Sequence, residues 1–316
     1  MALGVISHLP NPGFAQVRAL ARAAEAAGAD WLGLPDAFWW RDTWLLLAEA
    51  ARVTERLEIG PLVTNPYLRH PFHTVAAVAS LQDLAGKRVF VGIGAGGSEV
   101  SGAAGISRRD AAARVGALSA LLRNVARDRQ PLDPVSGRAL EVPLYSPPIL
   151  IAGRGNGMLQ AAGRCADRAM LWAVPLSDLE RSAAAIDIAA RTGREADGPR
   201  PELVWAPLVD HGGQSRQRVQ TIAAYSVLNS APEVQRHWGL DRPTIERLRE
   251  VLVAGGAAAA QDLVPALALD DLIIKDPSPG RVAAQAQTIG ATSIAVPAFS
   301  IDEVAERVAW AREVLA

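Results

Sequence analysis

Cysteine is almost absent from this chain of 316 residues. Cys165 stands alone, which excludes an internal disulfide and any metal site built from clustered thiolates. Charge imbalance is absent as well: 32 lysines and arginines face 33 acidic residues, for a formal charge of -1. No global field then draws the chain to nucleic acid or to an anionic membrane. No apolar run approaches the roughly 20 residues needed to span a bilayer. The start, Met1-Ala-Leu-Gly-Val-Ile-Ser-His8, carries no basic segment ahead of a long apolar one, so it does not read as a secretion signal. A soluble, cytoplasmic protein acting on small molecules is expected, with neither nucleic acid nor membrane as partner. His8, His70, His73, His211 and His237 show no metal-ligand spacing, and no Gly-x-Ser-x-Gly elbow occurs. Neither a metal site nor a Ser-His-Asp hydrolase is expected. Beside Pro71, a regular helix through His70 and His73 is not expected either.

What the chain does have is apolar residues, half of the total, and a regular alternation of short β-type runs with amphipathic helical runs. Leu3–Ser7 precedes a helix over Phe14–Ala27, where Val17, Leu20, Ala21, Ala24 and Ala27 recur at helical spacing. Trp31–Pro35 leads to Thr43–Arg56, Leu57–Val63 to Thr74–Leu84, and Arg88–Gly94 to Arg109–Val125. After a proline-rich extended loop at about 128–148, Ile149–Ala152 precedes Gly157–Cys165, and Arg168–Val174 precedes Ser177–Thr192. Glu202–Ala206 leads into a long helical region at about 215–269, and Thr292–Val296 into a closing helix at Asp302–Val314. Eight β-α units predict an α/β fold of the (β/α)8 TIM-barrel type, in one domain over 1–316.

In such a barrel the chemistry sits in the loops after the strands. Two of these loops are glycine-rich and run straight into helices: Gly92–Glu99 and Ala152–Gly157. Free backbone N–H groups at a helix start, with no Cβ in the way, suit a phosphate, and Arg154 could add a charged contact. A phosphorylated cofactor is the expected ligand. Trp39 and Trp40, adjacent in the loop after the second strand, cannot both follow one helical stripe. At least one is expected to line a pocket for a flat or apolar substrate, while Trp44 is expected in the core. His8 at the mouth of the first strand is the best-placed histidine for acid/base work.

Gly60–Pro71, followed by Ala76–Gly94 and then by Pro147–Asp167, resembles the bacterial luciferase-like superfamily. Within it, the likeness is to the deazaflavin-dependent branch typified by methylenetetrahydromethanopterin reductase. The resemblance spans nearly the whole chain and implies a luciferase-like barrel that binds coenzyme F420, or alternatively FMN, across its C-terminal mouth. It implies a non-prolyl cis peptide at Leu62-Val63, with Asp36, Thr64 and Asn65 facing the deazaflavin. Gly94, Ala95 and Gly96 would border the cofactor, and Ala152, Gly153, Arg154, Gly155 and Asn156 would cradle its phosphate.

The pattern departs from the family on the substrate side. Ala37 stands where many relatives carry His, and Ala95, Ile6 and Gly97 stand where acids are found in relatives. Asp36, Glu99 and His8 are the remaining catalytic candidates, with Trp39, Trp40 and Tyr67 toward substrate and Tyr67 a further possible proton donor. A polyanionic sugar phosphate or a methanopterin should fit poorly, and an uncharged, flat or apolar molecule stacking on Trp39 or Trp40 should fit better. The expected function is an F420-dependent reductase delivering hydride to a C=C or C=N bond of a small metabolite. An FMN-dependent monooxygenase and a catalytically silent ligand-binding barrel are the alternatives, and family habit suggests a homodimer.

Overall fold

A computed structural model describes residues 2–97, 105–128, 131, 135–193 and 199–316. Among them the strands are β1 (Ala2–Ser7), β2 (Trp31–Leu34), β3 (Glu58–Pro61), β4 (Val91–Ile93), β5 (Ile149–Ala152), β6 (Arg168–Trp172), β7 (Glu202–Ala206), β8 (Leu208–Val209), β9 (Ile273–Ile274) and β10 (Ser293–Ala298). The helices are α1 (Phe14–Ala27), α2 (Thr43–Ala51), α3 (Pro71–Ala85), α4 (Ala111–Asp128), α5 (Asn156–Cys165), α6 (Leu179–Gly193), α7 (Gly213–Asn229), α8 (Pro232–His237), α9 (Arg242–Ala260), α10 (Ala266–Leu272), α11 (Pro279–Thr288) and α12 (Val304–Leu315).

Eight strands form one sheet in the order β3-β2-β1-β10-β7-β6-β5-β4, all pairs parallel, while β8 pairs with β9 alone. The two edges of the large sheet meet. Phe90 N–H donates to Ile59 O at 3.1 Å, Thr64 N–H to Gly92 O at 2.9 Å and Gly94 N–H to Thr64 O at 2.9 Å. The result is the expected (β/α)8 barrel. The contact between β3 and β4 lapses at Pro61, which has no N–H to give, and at Leu62-Val63, which is the expected cis peptide.

Side chains of alternating parity fill different cores, as the twofold period of a strand requires. Ile6, Trp31, Leu62, Phe90, Leu150, Met170, Val204, Ala206 and Ala295 form the barrel interior. Their outward neighbours, such as Val5, Leu32, Ile59, Ile151 and Trp205, pack under the helices. Interior room is made by glycine: a Cβ on Gly4 would lie 2.0 Å from the Trp31 ring, so β1 must be bare there for the indole to meet Phe90 edge-on at 5.6 Å. At the N-terminal ends of the strands Arg168 pairs with Glu58 at 2.5 Å and with Glu202 at 3.3 Å. Burial pushes the Glu58 carboxyl up, against the pull of Arg168.

Several boundaries differ from the sequence reading. Helix α3 begins at Pro71, which occupies the first turn where its missing N–H costs nothing, and His70 Nδ1 accepts from Phe72 N–H at 3.3 Å as the cap. Residues 215–269 are not one helix but α7 to α10, gathered around Val219, Val227, Trp238, Leu248 and Leu272 in a core that also takes Ala173 and Phe299 from the barrel mouth. Helix α11, which restores the crossover to β10, lies where no helix was expected. It buries only Val282 and Ala286, too narrow a stripe to stand out. The loop before β5 is held by Gln82 of α3, whose amide exchanges hydrogen bonds with Tyr145 N–H and O, both at 2.9 Å. Among the described residues no helix is long and apolar enough to cross a membrane.

Candidate functional site

The C-terminal ends of the strands converge on one mouth, in two halves. On the first, Thr64 is fully buried after β3 and its hydroxyl donates to Asp36 Oδ2 at 2.8 Å. Asp36 is placed there because β2 ends at Leu34 and helix α2 starts later, capped by Asp42, whose side chain accepts from Trp44 N–H at 2.9 Å. Burial raises the Asp36 pKa above the ordinary carboxylate range. The Thr64 hydroxyl and Arg69 work against this, while Asp42 adds to it. Asn65 is buried and folds its side chain into a local turn, accepting from Tyr67 N–H at 3.1 Å and Leu68 N–H at 3.0 Å.

Beside this pair run the glycine loops. A Cβ on Gly94 would come within 2.7 Å of Val63 and 3.4 Å of Ala152 O, and Gly96, in the left-handed region at φ 75°, faces Asn65. Arg108 donates to Gly96 O at 2.7 Å and pins that loop. At the end of β5, Gly155 caps α5 with no side-chain hydrogen bond, and a Cβ there would meet nothing within 4 Å. Helix α5 therefore presents the N–H groups of its first turn beside open space, the arrangement that suits an anion. Gly153 differs: its Cβ would fall 2.4 Å from Met158, so this glycine is required by packing. Neither Gly153 nor Gly155 has the positive φ that a glycine-rich turn can demand.

The second half is aromatic. His8 follows β1 and stacks on Trp172 with centroids 5.2 Å apart and planes at 23°, with Phe299 at 5.5 Å on another side. This packing, with the Arg218 guanidinium nearby, lowers the imidazole pKa to about 4. His8 is therefore neutral at pH 7 and offers one N–H and one lone pair. Arg154 is held by backbone oxygens: Nε donates to Trp172 O at 3.0 Å and Nη1 to Ser226 O at 3.3 Å, tying β5 and β6 to α7.

The other candidates lie in the loops after β2 and β3. Trp39 stands half exposed on the lip, edge-on to Phe38 at 4.8 Å, and Trp40 turns back through N–H to Ala37 O at 2.9 Å. Trp44 is buried in the core as expected. Tyr67 lies under the Arg114 guanidinium at 5.3 Å, toward α4; burial and Asp110 raise its pKa. Glu99 lies outside the described residues. Trp172, Phe299 and Arg218 escaped sequence reasoning as a group. The first two are strand-end aromatics, a detectable signal, but Arg218 sits within an insertion helix whose approach to the mouth no local pattern reveals.

A closed eight-stranded barrel with a small-residue, anion-ready half and an aromatic half at one mouth is the architecture of a cofactor-binding TIM-barrel protein. The pattern of the luciferase-like monooxygenase family runs over residues 2–294, and the chain belongs to that family. The 5,10-methylenetetrahydromethanopterin reductase of Archaeoglobus fulgidus is 26% identical over 254 residues, covering 78% of this chain and 76% of its own. The coenzyme F420-dependent tetrahydromethanopterin reductase of Methanopyrus kandleri superposes with a TM-score of 0.77 at 20% identity, over 97% of this chain and 96% of that one. An F420-dependent secondary alcohol dehydrogenase in complex with an F420-acetone adduct gives 0.73 at 16% identity, over 99% and 98%. These two structural likenesses bear on the fold.

Proposed function

We propose that the protein is an F420-dependent oxidoreductase that delivers hydride to a C=C or C=N bond of a small metabolite. The observation that carries the reading is the juxtaposition at one mouth of the Asp36–Thr64 pair and the open start of α5 at Gly155. These residues fit a phosphorylated tricyclic cofactor: a buried carboxyl and hydroxyl can meet the polar edge of a flat ring, and helix N–H groups meet a phosphate. When bound, reduced F420 supplies the hydride, and the chain supplies position and field. Asp36 and Thr64 would hold the ring's polar edge, Asn156 and Gly157 N–H groups the phosphate, and neutral His8 would donate a hydrogen bond to the acceptor. The names of the relatives support this cofactor.

The family's monooxygenase members support a second reading with FMN. Gel filtration after mixing the protein with equimolar F420 and FMN separates the two. Co-elution of the deazaflavin alone is expected; retention of FMN alone moves the protein to the monooxygenase reading, and retention of neither at tens of micromolar favours the silent barrel.

A further inference from the structure

The aromatic half of the mouth holds a cation that meets no anion among the described residues. Arg218, on α7, has no carboxylate partner among the described residues. It donates through Nη1 to Phe299 O at 3.1 Å, with its guanidinium carbon 5.8 Å from the centre of the Phe299 ring. A guanidinium has five N–H donors in a planar fork, so this one bond leaves most of the fork open. The ring nitrogens of His8 likewise find no hydrogen-bond partner among the described residues, though the ring is fixed between Trp172 and Phe299. Two sets of uncommitted polar atoms thus border one aromatic wall.

We propose that this half of the mouth is a subsite for a flat, conjugated monocarboxylate, its π-system along the partly exposed Trp172 and its carboxylate on Arg218, with His8 as the second hydrogen-bonding group. One cation matches one negative charge. A polyanion would leave uncompensated charge near the Asp36 carboxylate, which is costly in a partly desolvated site; a neutral amide of the same shape would forgo the paired fork. The inference rests on the mouth being the redox site, because it names the substrate that site takes, but its test needs no cofactor.

The probes are benzoate and benzamide, titrated at low ionic strength into the protein without added cofactor. Benzoate is expected to bind about tenfold more tightly, the scale of a charge-assisted hydrogen bond. Arg218→Gln should bring the ratio to about one, and Arg218→Lys should keep part of it. Because Arg218 also ties α7 to the Phe299 loop, a folding failure is covered by a second reading on the wild-type protein. Saturating benzoate should move the His8 imidazole pKa upward in an NMR titration, since the carboxylate offsets the guanidinium that helps hold it near 4. Equal binding of the two probes, a ratio that survives Arg218→Gln, or an unmoved His8 pKa overturns the subsite. Failure of F420 to bind in the gel-filtration experiment overturns the cofactor reading and leaves this result standing, so the two failures are distinguishable.

Discussion

A carboxyl group that is largely desolvated yet keeps a hydroxyl donor, as Asp36 does with Thr64 at 2.8 Å, is fixed in place at the mouth by that bond. The structural role first open to such an aspartate, capping the next helix, belongs to Asp42. Asp36→Ala should therefore leave the barrel folded and lower hydride transfer by about tenfold or more, the scale of a lost hydrogen bond to a charged group. Steady-state rates with reduced F420, read beside a thermal melt, decide it, and wild-type turnover would return Asp36 to a structural role. This residue was legible because a polar side chain directly after a strand is conspicuous. His8 was legible in position but not in chemistry, since its neutrality depends on Trp172, Phe299 and Arg218, which come from other parts of the chain.

The turn between β5 and α5 carries the phosphate argument, and its two glycines do different things. Gly155 opens onto free space at the helix start, so Gly155→Val should weaken F420 binding about tenfold at unchanged stability, because its branch intrudes where backbone amides must approach an anion. Gly153 backs onto Met158 Cβ at 2.4 Å, so Gly153→Val should instead destabilise the barrel by about 1–3 kcal/mol through overpacking. Isothermal titration and denaturant melts on the same two variants read both effects; identical behaviour of the pair would contradict the distinction. The sequence shows two equivalent glycines because spacing carries no information on what a Cβ would strike. Strands β5 and β7 matched their expected limits because each is a short apolar run bounded by breakers. Helices α7 to α10 merged into one expected region, since the turns at Ser230 and Gly239 are brief and the flanking helices are both amphipathic. The paired β8 and β9 are two residues each, below the length at which periodicity speaks.

At the scale of the whole molecule, two histidines tie stability to pH. His8 and His211 both fall to about 4, each mainly through burial, with Arg218 acting on the first and Arg307, opposed by Asp210, on the second. In the unfolded chain an imidazole takes its proton near 6.5. Between these values the unfolded state binds more protons, so stability is intact above about 6.5 and drains as pH falls toward 4. A melting temperature that declines over this window is expected, with a shallower decline in His8→Gln and in His211→Gln; a flat profile in the wild type would contradict the assignment.

The barrel itself follows from a repeated local pattern, eight apolar runs each followed by an amphipathic helix, and such patterns survive without knowledge of partners. The two halves of its mouth do not, because they join the ends of β1 to β6 and of β10 to an insertion helix across more than two hundred residues. The central claim is that F420 lies across that mouth, with its phosphate at the start of α5 and its ring beside Asp36 and Thr64. A crystal structure of the protein grown with F420 tests it most directly. The account predicts density for a tricyclic ring between the Asp36–Thr64 pair and Ala152, with phosphate density at the Asn156 and Gly157 N–H groups. A ring bound elsewhere, or a phosphate held away from α5, would contradict it.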